Sequence, residues 1–206
     1  MESIRKVKSQ ALSLHFDHLD NNDLIPKFLA KNSLKKGSGA GLLNNYRYLP
    51  GLPRRQNPDH PLNREENKGK KILIPGAYFA TEIDYEQAVW AVLDAGFRVV
   101  ISNEIGHTFK KHAHCNGLLC VGVSLEELRK LEKLPVSEII EVDLESQTIS
   151  AAGGSRDFEI DINEKEYLMN GLEDTEQTLD FDEQIEAYEN RWNSFYEPTR
   201  QEEVNG

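Results

Sequence analysis

The chain has 206 residues, enough for one well-buried domain with a terminal extension. Hydrophobic residues make up 38% of it and charged residues 29%, which is typical of globular proteins, and 24 basic against 35 acidic side chains give a formal net charge of −11. Because phosphate backbones and anionic membranes are bound by clustered cations, this balance argues against both kinds of partner.

The first third of the chain carries weak secondary-structure signals. Residues 9–16 alternate loosely and predict a first strand, a polar turn over 17–23 follows, and a short helix can begin at Pro26. Residues 31–70 are rich in glycine, proline and asparagine and predict an irregular, loop-rich insertion. Within it, residues 37–41 (Gly-Ser-Gly-Ala-Gly) resemble a phosphate loop only superficially, since they follow a helix rather than a strand, and we interpret them as a flexible connection.

The core signal begins after Lys71. A buried strand at 72–74, an amphipathic helix over 85–95 and a second strand at 97–101 form a βαβ unit, which predicts parallel pairing of the two strands. Further elements are predicted in this order: helix or loop at 107–116, strand 118–123, a helix through Leu134 with Ser124 and Glu127 as capping box, strands 139–144 and 147–150, a turn at Gly153-Gly154, strand 158–162, helix 165–171 ending at Gly171, and an acidic helix at 181–195. We therefore expect one domain over residues 1–180 and an acidic helix with a flexible tail over 181–206.

Targeting and redox signals are few. Residues 1–8 are basic without a hydrophobic core, so no secretory signal is expected, and no apolar run approaches the about 18 residues of a membrane span. Two cysteines, Cys115 and Cys120, are interpreted as reduced thiols, and two cannot supply the usual ligand set of an iron–sulfur cluster. We expect a cytoplasmic protein without a cofactor of its own.

Blocks of residues from about Phe16 to Trp192 stand in the order found in one known family. They are Asp17–Lys27 (Asp-His-Leu-Asp-Asn-Asn-Asp-Leu-Ile-Pro-Lys), Tyr46–Leu49, Asn57–Asp59 with Leu62-Asn63, Ile72–Phe79, Ala88–Ala91, Gly96–Ile101, Asn116–Leu119 and Leu168–Asp174. In these blocks the chain resembles the small subunit of 3-isopropylmalate dehydratase, a relative of the aconitase swivelling domain.

The resemblance implies an α/β fold of the swivelling β/β/α type. It also implies a large partner subunit that carries a [4Fe–4S] cluster, and dehydration and rehydration of a 2-hydroxy diacid, as in leucine biosynthesis. In the family, the loop after Phe79 reads Gly-x-Gly-Ser-Ser-Arg-Glu-His, its serine acts as a base, and its arginine and helix amides hold a carboxylate.

This chain departs from that loop. Only Glu86 matches; the glycines fall on Ala80 and Glu82, the serines on Ile83 and Asp84, and the arginine on Tyr85. The substrate-loop candidates are Phe79, Ala80, Thr81, Glu82, Ile83, Asp84, Tyr85 and Glu86. Ile83 has no proton to exchange and Tyr85 no fixed positive charge, while Asp84 is expected to cap a helix that begins at Tyr85, so that the protein's own carboxylate fills the anion site.

Other rim positions also differ from the family pattern. The rim candidates are Asp20, Asn22, Glu104 and His107. Glu104 and His107 could form a replacement acid–base pair, with Asp84 and Tyr85 facing them, or could simply fill a surface that binds nothing. His107, His112, His114 and Cys115 cluster nearby, but their spacing fits no standard metal site, and we predict none.

Three functions remain open at this stage. The chain can be interpreted as a dehydratase small subunit that works with a cluster-bearing large subunit, as a paralogue with a changed and less anionic substrate, or as a non-catalytic binding or regulatory subunit. The family resemblance favours the first, and the chemistry of the altered loop favours the other two.

Overall fold

A mixed sheet of seven strands organises the fold in the computed structural model, which describes residues 2–31, 34–51, 55–81, 85–171 and Tyr188. The strands are β1 (Lys6–Ser13), β2 (Tyr48–Leu49), β3 (Arg55–Gln56), β4 (Ile72–Ile74), β5 (Val99–Ser102), β6 (Leu119–Gly122), β7 (Ile139–Asp143), β8 (Thr148–Ala151) and β9 (Gly154–Asp157). The sheet order is β6-β5-β4-β1-β7-β8-β9, and β2 and β3 form a separate ribbon. The chain up to Gly171 forms one compact unit.

Seven α-helices accompany these strands in the described ranges, besides three short 3-10 helices at Ser38–Gly41, Pro61–Asn63 and Glu65–Asn67. The α-helices are α1 (Asn21–Leu24), α2 (Lys27–Ala30), α3 (Asn44–Arg47), α4 (Gln87–Asp94), α5 (His107–Cys115), α6 (Leu125–Glu132) and α7 (Ile162–Asn170). None of them is long and apolar enough to span a membrane. The acidic helix predicted at 181–195, the tail and the boundary at 180 lie outside the described residues, apart from Tyr188.

The sheet has a parallel half and an antiparallel half that meet at β1. Strands β1, β4, β5 and β6 run parallel, and β7, β8 and β9 continue the sheet as an antiparallel meander. The predicted βαβ unit is confirmed, with Ile72 paired to Val99. The first strand was expected at 9–16 but covers Lys6–Ser13, because its start pairs with β7 and the left-handed backbone of His15 ends it.

Alternate residues of the central strands enter two separate hydrophobic clusters. Leu73 and Val100 pack with helices α4 and α5, whereas Ile72, Ile74 and Ile101 pack with α6 and the meander. Strands buried on both faces explain the continuous apolar runs in the sequence. The first cluster lies under the loop after Phe79, and the second lies on the other face of the sheet.

Two predicted caps are confirmed and one predicted strand is wrong. Ser124 and Glu127 form a capping box at α6, and Gly171 adopts the left-handed conformation that ends α7. The strand expected at 158–162 is replaced by β9 at Gly154–Asp157, which follows β8 after a two-residue turn. Asp161 then caps α7, since its side chain accepts hydrogen bonds from two amides of the first turn.

The glycine-rich segment at 37–41 is packed rather than loose, contrary to our expectation. The amides of Gly37 and Gly39 donate to Oδ2 of Asp94 at 3.0 and 2.8 Å. A Cβ atom at Gly39 would lie 2.6 Å from the backbone nitrogen of Ala95, so only glycine permits this approach. The amides that suggested a phosphate loop therefore bind a carboxylate at the end of α4.

Two buried histidines should make stability depend on pH. Burial lowers the pKa of His60, with a further contribution from Arg47, and burial also lowers the pKa of His114 despite the opposing effect of Glu164. Both are neutral in the folded chain and charge first in the unfolded chain, whose pKa is 6.5. The two histidines therefore do not reduce the free energy of unfolding above pH 6.5. As the pH falls below this value, each histidine lowers the free energy of unfolding by ~1.4 kcal/mol for each unit that separates its folded-state pKa from its unfolded-state pKa.

Urea unfolding at about pH 7.5 and about pH 5.5 measures this loss. Both pH values lie above the usual pKa range of carboxylates, so that histidines account for most of the difference. The double variant His60→Gln/His114→Leu should lose much less stability between the two pH values than the wild type. The exposed His107→Gln provides the control and should keep the wild-type dependence. An unchanged dependence in the double variant would assign it to other groups.

Candidate functional site

Three segments meet at the end of the parallel strands and frame the loop. Main-chain hydrogen bonds join the segment after β1 to the segment after β4, and the latter to the segment after β5. They run from Leu14 N to Ile74 O, Phe16 N to Pro75 O, His18 N to Ala77 O, Ala80 N to Leu19 O, Phe79 N to Glu104 O and Gly106 N to Phe79 O, all between 2.8 and 3.0 Å. The carboxyl ends of parallel strands form the usual ligand-binding edge of an α/β sheet.

Unusual backbone conformations concentrate in this frame. His15, His18, Tyr78 and Ala80 all have φ between 55 and 59°, in the left-handed region that costs a non-glycine residue ~1–2 kcal/mol. The rings of His18 and Tyr78 stack with their centroids 4.6 Å apart. Strain of this kind persists only where surrounding contacts enforce it, and it is common at functional sites.

Side chains that the sequence did not single out hold the frame in place. Oδ1 of Asp17 accepts from the amide of Ala77 at 2.8 Å, and its Oδ2 lies 2.6 Å from Nη2 of Arg129. The hydrogen bond from Arg129, followed by the one from Ala77, holds the pKa of Asp17 below its usual range. Asn103 accepts from the amide of Tyr78 at 3.0 Å. Polar residues directly after buried strands were the available sequence signal.

At the first glycine position of the family loop, this chain has an alanine in a left-handed backbone conformation. Ala80 is completely buried and has a φ of 58°, a conformation that glycine adopts without strain. Phe79 is buried against the edge of Phe109, whereas Thr81 is exposed. Glu82, Ile83 and Asp84 lie outside the described residues.

Ala80→Gly should leave the free energy of unfolding within about 1 kcal/mol of the wild type. Relief of the left-handed backbone (~1–2 kcal/mol) is offset by the freer unfolded chain and by the lost methyl burial. Ala88→Gly, equally buried but inside α4, should cost about 2 kcal/mol, because it has no strain to relieve. Urea unfolding of both variants checks this, and equal losses would show that position 80 does not need glycine geometry.

Tyr85 and Glu86 are bound to the protein rather than directed at a ligand. The hydroxyl of Tyr85 donates to the carbonyl of Ile25 at 2.7 Å, and Nδ2 of Asn116 donates to Oε1 of Glu86 at 2.5 Å. Helix α4 begins at Gln87, with Glu86 at its N-cap position and no side-chain cap. The helix was expected to begin at Tyr85; it starts later because these two contacts fix the preceding residues.

The structure brings the rim candidates to one edge but assigns them different tasks. Oδ1 of Asp20 accepts from the amides of Asn22 and Asp23 at 2.7 and 3.0 Å, so Asp20 caps α1, while Asn22 is exposed. Glu104 and His107 flank the bridge between Phe79 and Ile105. Both are exposed, and within the described part of the chain no hydrogen bond or ion pair joins their side chains.

The histidines and cysteine of α5 do not converge on one point. No group of three or more histidine, cysteine, aspartate or glutamate side chains that could hold a metal ion occurs among the described residues. His114 is buried, with Nδ1 3.1 Å from Oε1 of Glu164 but without the geometry of a hydrogen bond. His112 contributes its carbonyl to Asn116, and Cys115 is exposed.

The two thiols should differ in reactivity. Burial raises the pKa of Cys120 to about 12, so this thiol is not a nucleophile near neutral pH in the native chain. With a chromogenic disulfide reagent, we expect Cys115 to react in the native chain and Cys120 only after unfolding in urea. Cys115→Ser should abolish the native reaction; a native reaction that survives in this variant would contradict the assignment.

The relatives found by comparison with known proteins share one name. No protein-family model matches the chain. The 3-isopropylmalate dehydratase small subunit of Listeria monocytogenes (strain HCC23) is 34% identical over 194 residues, 94% of this chain and 100% of that protein. The small subunit of Bacillus cereus (strain AH820) is 36% identical over 191 residues, 93% and 98% of the two chains.

A solved structure shares the fold. The crystal structure of 3-isopropylmalate dehydratase (leuD) from Methanocaldococcus jannaschii matches with a TM-score of 0.63 and 16% identity, covering 89% of this chain and 99% of that one. This likeness confirms the predicted α/β fold class.

Proposed function

Since this chain belongs to the family of 3-isopropylmalate dehydratase small subunits, we propose that it is the small subunit of a hydro-lyase of that kind. In this role it joins a large subunit and contributes one wall of a site for dehydration and rehydration of a 2-hydroxy diacid, as in leucine biosynthesis. The observation that supports the proposal within the structure is the left-handed backbone of Ala80, a conformation suited to glycine, at the position of the family glycine and framed by three segments.

The large subunit supplies the [4Fe–4S] cluster in this proposal. Cys120 is buried and Cys115 is exposed, and the two cysteines of this chain cannot supply the usual ligand set of a cluster. When bound, the cluster acts as a Lewis acid on the substrate hydroxyl. The residues of this chain shape the wall of the site, exclude water through Phe79 and Ala80, and fix the entry to α4.

A second candidate is a paralogue whose substrate is less anionic at this end. Tyr85 favours it, because a phenol donating to Ile25 replaces the arginine that would clamp a carboxylate. The loss of a buried charged partner costs ~2–5 kcal/mol of binding, which is about 30- to 3000-fold in affinity. If this loss of substrate affinity were complete, the chain would have a non-catalytic role.

Co-expression with a cluster-bearing large subunit from the same host tests the proposal. Size-exclusion chromatography should give a stable complex, and the ultraviolet absorbance of isopropylmaleate should fall as the complex hydrates it. The Bacillus cereus small subunit with its own large subunit is the positive control. A complex without turnover would favour the second candidate, and no complex with any such large subunit would exclude both enzymatic roles.

A further inference from the structure

A cavity of about 180 Å³ lies on the other face of the sheet from the altered loop. It is lined by the end of β1, by the segment that precedes β4, and by residues around the end of α6. Its apolar walls include Ile74, Leu131 and Ile140, which belong to the second hydrophobic cluster, whereas Phe79 and Ala80 belong to the first. His15, part of the frame described above, also lines it, so the cavity adjoins that site from the other face of the sheet.

Two buried polar atoms from different elements line this cavity without a partner, and a largely buried lysine lies beside them. Lys70 is only 5% exposed and has no hydrogen-bond or ion-pair partner within the described part of the chain. Oγ of Ser13 and Oε1 of Glu132 are inaccessible to solvent and make no hydrogen bond. Because nearly all buried polar atoms in proteins are paired, two unpaired ones and a lysine without a direct partner around one cavity indicate a ligand that satisfies them together.

The charges define the chemistry of that ligand. Glu132 shares its Oε2 with Arg129 at 2.8 Å, whereas Lys70 has no direct partner and only the more distant charge of Glu66 near it. Burial lowers the pKa of Lys70, and a bound anion would oppose this effect. Glu66, Glu132 and Glu138 also line the cavity and would repel a dianionic phosphate. A monocarboxylate fits Lys70, and a hydrogen-bond donor beside it fits Glu132 and Ser13.

We propose that this cavity binds a small aliphatic carboxylate that carries a hydroxyl or amino group next to the carboxylate. The carboxylate accepts from Lys70, the neighbouring hydroxyl or amine donates to Oε1 of Glu132, and the aliphatic part contacts the walls. The volume corresponds to about six water molecules at about 30 Å³ each, which suits a ligand of this size. Among the described residues, none of the altered loop lines this site.

Calorimetric titration and thermal unfolding of the full chain test the site with four probes of one branched skeleton. They are 2-hydroxy-4-methylpentanoate, L-leucine, 4-methylpentanoate and 3-methylbutylamine. We expect the hydroxy acid or the amino acid to raise Tm by about 2 °C or more at saturation, the plain acid to bind about tenfold more weakly, and the amine not to bind. The better of the first two probes identifies the donor.

Two variants and one control assign the binding to this cavity. Lys70→Met should weaken binding at least about tenfold, since it removes the only buried cation there, and Ser13→Ala serves if that variant does not fold. Lys71→Met, at an exposed neighbouring position outside the lining, should bind as the wild type does. Unchanged binding by the Lys70 or Ser13 variant, or no response to any probe, would overturn the proposal and leave water as the partner of these groups.

Discussion

Gly106→Ala is expected to lower the free energy of unfolding by about 3 kcal/mol or more. The new Cβ would lie 1.9 Å from the carbonyl oxygen of Ala80 and 2.7 Å from its carbon. These are backbone atoms, tied by the hydrogen bonds from Ala80 N to Leu19 O and from Gly106 N to Phe79 O, so neither segment can move without losing the frame. Overpacking against a fixed backbone is among the costliest single changes. Urea unfolding measures the loss.

Gly122→Ala is the matched control for this change. Gly122 ends β6 and is exposed, and a Cβ atom added there would meet no heavy atom within 4 Å. The control should therefore stay within about 0.5 kcal/mol of the wild type. If Gly106→Ala were as mild as Gly122→Ala, the close crossing of the segments after β4 and β5 would not exist in solution.

The triple change Ile83→Ser/Asp84→Ser/Tyr85→Arg is expected to raise hydration of isopropylmaleate by the complex about 30-fold or more. It removes a carboxylate from the expected anion site and restores the cation and both hydroxyls of the family loop. A charged partner accounts for ~2–5 kcal/mol, and each 1.4 kcal/mol is tenfold, so the expected gain follows from the clamp alone. The change requires the backbone at Ala80 that the fold retains.

A second triple variant isolates the base. Ile83→Ala/Asp84→Ser/Tyr85→Arg differs only by the hydroxyl at the position of the family serine, and general-base catalysis typically contributes 10²–10⁴-fold. It should bind substrate as the first variant does but turn it over far more slowly. Both should elute as complexes and unfold at similar urea concentrations, since both lose the same contact between Tyr85 and Ile25. Equal rates in folded complexes would mean that the rim, and not residue 83, limits the reaction.

The frame and the chemistry of this site are decided by different residues. Backbone hydrogen bonds, Gly76 and Gly106 fix where the three segments cross, and a Cβ at Gly76 would lie 2.3 Å from the carbonyl oxygen of Phe16. These features do not involve the loop side chains. The crossing of these segments is therefore expected to persist whichever side chains the loop carries.

The sequence determined the regular core and the family. Continuous apolar runs at 72–74, 97–101 and 118–123 predicted buried strands, and the capping residues Ser124 and Gly171 stand where they were expected, because these signals are local. The ordered blocks predicted the relatives and the fold. The same local approach failed at 158–162. Alternation of apolar and polar residues over only five positions also fits an irregular segment that leads into the N-cap of a helix, as it does here at Asp161.

Only the tertiary structure decided what the polar residues of the site do. Tyr85 is bound by the carbonyl of Ile25, 60 positions away, and Asp17 by the guanidinium of Arg129, 112 positions away, and no local pattern encodes such pairs. The left-handed backbone of Ala80 likewise comes from its amide's bond to Leu19 and from the close approach of Gly106, not from any preference of alanine. Local periodicity thus fixed the elements, while long-range contacts fixed the site.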